Sequence, residues 1–288
     1  MDHLPVYSIK EFNSEEIQFY VNDLNEHLAK HHFIHTPHKH DFYLCVLFVK
    51  GTGVHEIDFQ SYNVQPGSVF FLNPGQFHNW IFDSKVEGYI FFHSREFYDL
   101  NYQNRQLENF PFYFSEYNSP VVYLDEPGII EMSTSFQQII NEWKLDEAFK
   151  LSKICSLIDL MYIQCARRYI PRNEMKSVTP SYSLKLRQFE QLVKSHFREL
   201  KMPNDYAEMM NMTNKHLNRI VKETLNKTVS TVIADRVILE AKRLLIHSDH
   251  RVVEVSEKVG FSDYAYFNRY FKKHTTQTPM EFAKGYRK

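Results

Sequence analysis

GFSDYAYFNRYFKKHTTQTPMEF, residues 260–282, sets a glycine turn ahead of a helix with two unlike faces. The seven residues before it, 253–259, are short and helix-compatible, and Gly260 supplies the left-handed backbone that a tight turn needs. Ser262 or Asp263 can cap the helix that follows, whose apolar residues recur at Phe267, Tyr270 and Phe271. The opposite face carries Tyr264, Tyr266, Asn268, Arg269, Lys272 and Lys273. Helix, glycine turn, then a helix with basic and amide side chains outward is the build of a helix-turn-helix reader.

The pattern occurs twice. Leu217-Asn218-Arg219-Ile220-Val221-Lys222 repeats Phe267-Asn268-Arg269-Tyr270-Phe271-Lys272 at an offset of 50, and Thr228 and Val232 repeat Thr278 and Phe282. Upstream, Ala207-Glu208 matches Ser256-Glu257 at an offset of 49, so the second turn is predicted to be one residue longer. Such spacing marks a duplicated supersecondary unit. Between the copies, residues 230–247 space Ile233, Val237, Ala241, Leu244 and Leu245 as a helix does. A helix of that length spans roughly 27 Å, near the ~34 Å between successive major grooves on one face of DNA.

Residues 184–288 resemble the DNA-binding domain of the AraC/XylS family of bacterial transcription regulators. The residues that carry this are GFSDYAYFNRYFKKHTTQTPMEF, NMTNKHLNRIVKETLNKT in the first unit, and AKRLL of the connecting helix. The chain departs from the family at Val229, where Pro is frequent, and at Asn226 and Thr276, where Gly is usual. The resemblance implies base contacts from Asn214, Lys215, His216, Asn218 and Arg219 in the first unit. In the second it implies them from Tyr264, Tyr266, Asn268 and Arg269. Arg suits guanine and Asn suits adenine, although Asn218 and Asn268 are equally suited to local helix hydrogen bonds. Lys222, Lys272 and Lys273 are placed to meet phosphate.

The charge balance agrees. Residues 181–288 hold 20 Lys+Arg against 12 Asp+Glu, whereas residues 1–180 hold 14 against 23, a difference hidden in a net charge of −1. A basic C-terminal half suits counterion release from DNA. Cys45, Cys155 and Cys165 sit in apolar contexts and read as buried thiols in a reducing compartment. No apolar run approaches the ~18 residues of a membrane span and no signal pattern is present, so a cytoplasmic protein is expected.

Upstream of residue 170 the texture is that of short strands. Residues 42–49, FYLCVLFV, form an apolar run ended by Gly51-Thr52-Gly53; 54–59 alternate, 61–63 are expected to turn, and 69–72, 80–82 and 89–92 follow. A small barrel or sandwich is predicted. This segment resembles a cupin barrel, on the strength of His38-Lys39-His40, Gly51-Thr52-Gly53, Pro66-Gly67 and Pro74-Gly75-Gln76-Phe77-His78. In metal-binding cupins the matching histidines and a carboxylate hold the ion. His38, His40 and His78 match, but Leu44 and Cys45 stand where the carboxylate falls. Three imidazoles can hold zinc or iron with water, line a small-molecule pocket, or serve only as structural hydrogen-bonding groups. We expect an effector pocket of His38, His40, His78 and Trp80, with Trp80 as readily core, and no metal, cofactor or catalytic set.

Residues 110–123, rich in aromatics, are expected to complete the barrel or cover its opening. Helices follow, and Phe149, Ile154, Leu157, Ile158, Met161 and Cys165 form a stripe that is either a dimer seam or packing on the chain's own barrel. The expected division is a cupin-like effector-binding and dimerisation domain over 1–170, a linker over 171–182 and an all-α DNA-binding domain over 183–288. The function implied is a DNA-binding transcription regulator, commonly an activator in this family, controlled by a small-molecule effector. Its expected partners are double-stranded promoter DNA, RNA polymerase and a second copy of itself. The alternatives are a metal-dependent cupin enzyme fused to a DNA-binding module and a ligand-independent dimeric DNA binder.

Overall fold

The computed structural model describes residues 5–12, 18–31, 36–99, 106–115, 117–169 and 180–286. The chain divides into two compact units, Pro5–Met175 and Lys176–Lys288. The first nine residues of the expected linker, 171–179, lie outside the described residues.

The first unit holds strands β1 (Val6–Tyr7), β2 (Phe19–Asp23), β3 (Lys39–His40), β4 (Tyr43–Lys50), β5 (Gly53–Ile57), β6 (Gln60–Val64), β7 (Ser68–Leu72), β8 (His78–Phe82), β9 (Glu87–His93) and β10 (Val121–Tyr123). Its helices are α1 (Leu24–Lys30), α2 (Arg95–Asp99), α3 (Pro111–Phe114), α4 (Glu126–Lys144) and α5 (Lys150–Tyr169). One sheet runs β10-β7-β4-β9-β2 and a second runs β6-β5-β8. β4 is apolar from Tyr43 to Val49 because both of its faces are buried up to Phe48, and it ends at the exposed Lys50. Leu44, Val46 and Phe48 pack with Phe70, Leu72, Ile90 and Phe92 toward the smaller sheet. Tyr43, Cys45 and Leu47 pack on the other face, with Phe136 of α4 and Ile158 of α5.

The predicted turn at 61–63 is displaced: Ser61, Tyr62 and Asn63 lie within β6, paired with Glu56, His55 and Val54. The hairpin turns instead at Asp58 (φ 48°) and Phe59 (φ 67°). Both central residues take the left-handed conformation of a type I′ turn, without the Asn-Gly signature that would announce it. Asp58 is held there because its carboxylate accepts from the Phe77 amide at 3.2 Å.

Residues 110–123 add the edge strand β10 to β7 but do not cover the opening. Phe112 stacks on Phe71 at 3.7 Å, in the layer beneath α5. The stripe on α5 is largely internal. Ile154, Ile158, Met161 and Cys165 are fully buried in that same layer, while Phe149 is 84% exposed at a left-handed position before the helix starts. All three cysteines are buried free thiols.

The second unit is helical: α6 (Pro180–His196), α7 (Pro203–Met209), α8 (Asn214–Leu225), α9 (Val229–His247), α10 (Val252–Lys258), α11 (Tyr264–Thr275) and α12 (Pro279–Tyr286). α6 begins at Pro180, so 180–182 belong to a helix and not to the linker; proline's fixed φ suits a first helical turn. The first reading unit turns through 210–213 and the second through 259–263, which is one residue longer, as the offsets predict. α9 is the common core piece, contacted by helices of both units, with Ile233, Val237, Ala241 and Leu245 buried.

Asn226 and Thr276 end their recognition helices in the same way. Each is left-handed, at φ 53° and 66°, and each donates its amide to the Lys carbonyl four residues back, Lys222 and Lys272. The turn therefore survives the loss of glycine at both sites. Asn tolerates this conformation, whereas a β-branched residue is strained in it by about 1–2 kcal/mol. Thr276→Gly is expected to raise the melting temperature of this unit by roughly 2–6 °C, the gain being partly offset by glycine's chain entropy. A scanning calorimetry trace with no rise would show the strain to be absent.

Candidate functional site

Two sites can be built, one in each unit. In the barrel, β3 and β8 bring the predicted residues together. His38 bridges His78 with ring centres 4.3 Å apart, His40 lies 5.1 Å from His78, and Trp80 lies 5.2 Å from His78. Tyr7 of β1 lies against His38 at 5.3 Å. A fourth imidazole, His55, was missed by the sequence reading. It sits opposite Trp80 in the β5–β8 register, and its Nε2 lies 3.0 Å from His78 Nδ1. Its signal was present, since it alternates in phase with the inward Ile57.

Burial drives all four imidazoles toward the neutral form. His40 is brought down to about 3, and His55 and His78 are held well below the ordinary range, by burial first and then by the neighbouring imidazoles, beside which a second positive charge is disfavoured. His38 is lowered by burial as well. Neutral rings fix the hydrogen bonding. The Nδ1–H of His40 donates to the Phe42 carbonyl at 2.8 Å and that of His38 to the Thr36 carbonyl at 2.9 Å. His40 Nε2 is thus a bare acceptor. Within the His55–His78 pair one ring donates and the other accepts, so whichever tautomers are present, the outer nitrogens are one donor and one acceptor. His40 Nε2, His55 Nδ1, His78 Nε2 and the indole N–H of Trp80 are all buried with no partner among the described residues. The cluster therefore presents two donors and two acceptors to whatever enters.

It does not present a metal site. His38 and His40 do direct Nδ1–H to carbonyls, as metal ligands often do. Yet among the described residues no group of three or more His, Cys, Asp or Glu side chains is arranged to hold an ion. Leu44 fills the inner face where a carboxylate would be needed, and Cys45 points to the opposite face.

In the second unit, α8 and α11 expose most of the predicted readers. Lys215, Arg219, Lys222, Tyr264, Tyr266, Arg269, Lys272 and Lys273 are exposed, whereas Leu217, Val221, Phe267 and Phe271 are fully buried beneath them. Thr213 caps α8 through the His216 amide, and Asp263 caps α11 through those of Ala265 and Tyr266. Arg219 donates to His216 Nδ1 at 2.9 Å and lies over the Tyr182 ring. Arg269 lies 6.0 Å over the Tyr266 ring. The two asparagines differ. Asn218 is tied to Asn214 and to the Val229 amide, while Asn268, among the described residues, bonds only the Tyr264 carbonyl.

Residues 206–285 match the model of a helix-turn-helix domain, and residues 25–98 match that of an AraC-like ligand binding domain. The chain is 25% identical over 254 residues to the arabinose operon regulatory protein of Escherichia coli, covering 88% of this chain and 84% of that one. It is 21% identical over 257 residues to the transcriptional activator RhaR of Yersinia pestis, covering 86% and 84%. ToxT from Vibrio cholerae superposes with a TM-score of 0.45 at 12% identity, over 93% of this chain and 98% of that one. One chain thus carries an AraC-like ligand binding domain followed by a helix-turn-helix domain, and its homologues along most of its length are AraC- and RhaR-type transcription regulators.

Proposed function

We propose that this regulator reads a promoter through α8 and α11 and is controlled by a neutral, hydroxyl-bearing effector held among His40, His55, His78 and Trp80. The observation that carries the DNA reading is the pair of basic, capped helices on either side of one rigid helix. α9 has 19 residues, about 28 Å, which suits two successive major grooves. Lys215, Arg219, Tyr264, Tyr266 and Arg269 are the candidates for base contact, and Lys222, Lys272 and Lys273 for phosphate. The effector class follows from the buried donors and acceptors, since a hydroxyl both gives and takes a hydrogen bond and carries no charge into a dry site. Likeness to a protein named for an arabinose operon supports a sugar-like effector. A metal-dependent enzyme is not supported, because the required donor set is absent among the described residues.

The regulator is expected to work in the cytoplasm as a homodimer and to act through RNA polymerase, as an activator. With the buried stripe of α5 already used on its own barrel, pairing falls to the outer surface, where Leu160 is 55% exposed. The test is selection of sites from a random DNA pool at physiological salt, with and without a panel of neutral polyols and of carboxylic acids. Two enriched blocks about one helical turn apart, sharpened or shifted by a polyol, support the proposal. Enrichment that no polyol alters but an acid does would refute the effector class. Arg269→Ala is expected to weaken the selected site by about 1–3 kcal/mol and to relax one position. Equal losses on selected and random DNA would contradict base contact.

A further inference from the structure

The duplicated units place an asparagine at equivalent positions, 218 and 268, one turn into each recognition helix. In the first unit that side chain is engaged at both ends. Its Nδ2 donates to the Asn214 carbonyl at 3.1 Å and to Asn214 Oδ1 at 2.6 Å, and its Oδ1 accepts from the Val229 amide at 3.1 Å. Because an N–H can only donate, the last contact fixes which end of the side chain is oxygen. Val229 is fully buried at the start of α9, where the first amides have no helical partner, so Asn218 satisfies a donor that would otherwise be orphaned.

In the second unit both tethers are missing, for reasons written in the sequence. The residue equivalent to Val229 is Pro279, which has no amide hydrogen to give. The residue equivalent to Asn214 is Tyr264, whose only contact with Asn268 is its carbonyl, at 3.1 Å. Among the described residues Asn268 therefore retains a free oxygen and one free N–H. Those are the two groups needed to grip the N6 and N7 edge of an adenine.

We infer that the two heads are unequal: Asn268 is a base-reading residue that specifies an A·T pair, whereas Asn218 is a strut that joins α8 to α9, and the Val229–Pro279 difference assigns the roles. The inference rests on the DNA-binding reading of α8 and α11. For Asn218 to read a base it must abandon a buried amide, which costs more than a typical hydrogen bond returns.

The experiment is site selection from a random DNA pool with the full-length protein, its N268A, N218A and V229P variants, and hydrogen exchange at the Val229 amide. Asn268→Ala is expected to lower the preference for adenine at one position of one block about tenfold, leaving the other block unchanged. Asn218→Ala is expected to leave the base preferences of both blocks intact while exchange at Val229 speeds by about tenfold or more. Val229→Pro, which gives the first unit the second unit's residue, is expected to free the Asn218 oxygen while its N–H stays on Asn214, and so to add to the first block an adenine preference, through acceptance from N6, weaker than the one Asn268 gives the second. Loss of a base preference in Asn218→Ala matching that in Asn268→Ala would overturn the inference. So would an unchanged first block in Val229→Pro, a variant that stays informative should Asn218→Ala fail to fold. Absence of any enriched block with the wild-type protein would instead defeat the DNA-binding reading itself.

Discussion

Acidification from pH 7 to pH 5 is expected to unfold the N-terminal barrel. His27 and His40 are brought down to about 3 and His93 to about 4, in each case by burial first. An imidazole that is neutral in the fold and has its ordinary value near 6.5 in the unfolded chain gives the unfolded state more protons as pH falls. The stability is complete above pH ~6.5 and is lost below it, at about 1.4 kcal/mol per pH unit for each histidine, until the folded value is reached. At pH 5 these three together remove roughly 6 kcal/mol, before His38, His55 and His78 are considered, against a total of about 5–15 kcal/mol for a typical domain. Tryptophan fluorescence against pH should show a cooperative transition centred between about pH 5 and 6. A barrel still folded at pH 4 would mean that the imidazoles are hydrated or charged in the native state.

The second large effect is expected at Gly260. Its φ is +83°, but that alone does not demand glycine, since Asn211 holds φ 52° in the equivalent turn of the first unit. The constraint is proximity. A Cβ at residue 260 would stand 1.7 Å from the carbonyl oxygen of Arg198, just beyond α6, and 2.7 Å from Lys201 Nζ. That lysine knits the junction, donating to the carbonyls of Arg198 at 2.8 Å and Gly260 at 3.0 Å. A backbone atom cannot move aside as a side chain can, so Gly260→Ala must part the turn from α6. We expect a loss of about 3 kcal/mol or more in urea unfolding of this unit, together with loss of the second enriched block. A variant within 1 kcal/mol of wild type would show that the junction yields freely.

The C-terminal unit was legible because its information is local and doubled. The helix cap at Asp263, buried Leu217 and Phe267, and the unequal turns all follow from short-range spacing, and the same reading extended to the first unit would have found the cap at Thr213. In the barrel, the resemblance to cupin motifs pointed to His38, His40 and His78, and a period of two set Trp80 on the face of His78. The barrel was not legible where pairing decides. His55 joins the cluster only through the register that sets it opposite Trp80. The Asp58-Phe59 turn lacks glycine, so it looked like strand, and the polar stretch of β6 looked like turn. The fates of Asn218 and Asn268 became legible only with the structure, which shows that each is decided by the residue four before it in its own helix and the residue eleven after it at the start of the next.

β4 has a consequence for how occupancy of the barrel is felt outside it. Leu44 and Cys45 are neighbours in sequence, yet one borders the histidine-bearing interior and the other the α4–α5 layer. The wall between the two compartments is a single peptide ribbon, with no intervening layer of side chains to absorb a change of volume. Interiors packed at crystal density transmit such changes rather than damp them. The sheet is thus built as a diaphragm, and a guest on one side is expected to be registered on the other over the thickness of one pleat.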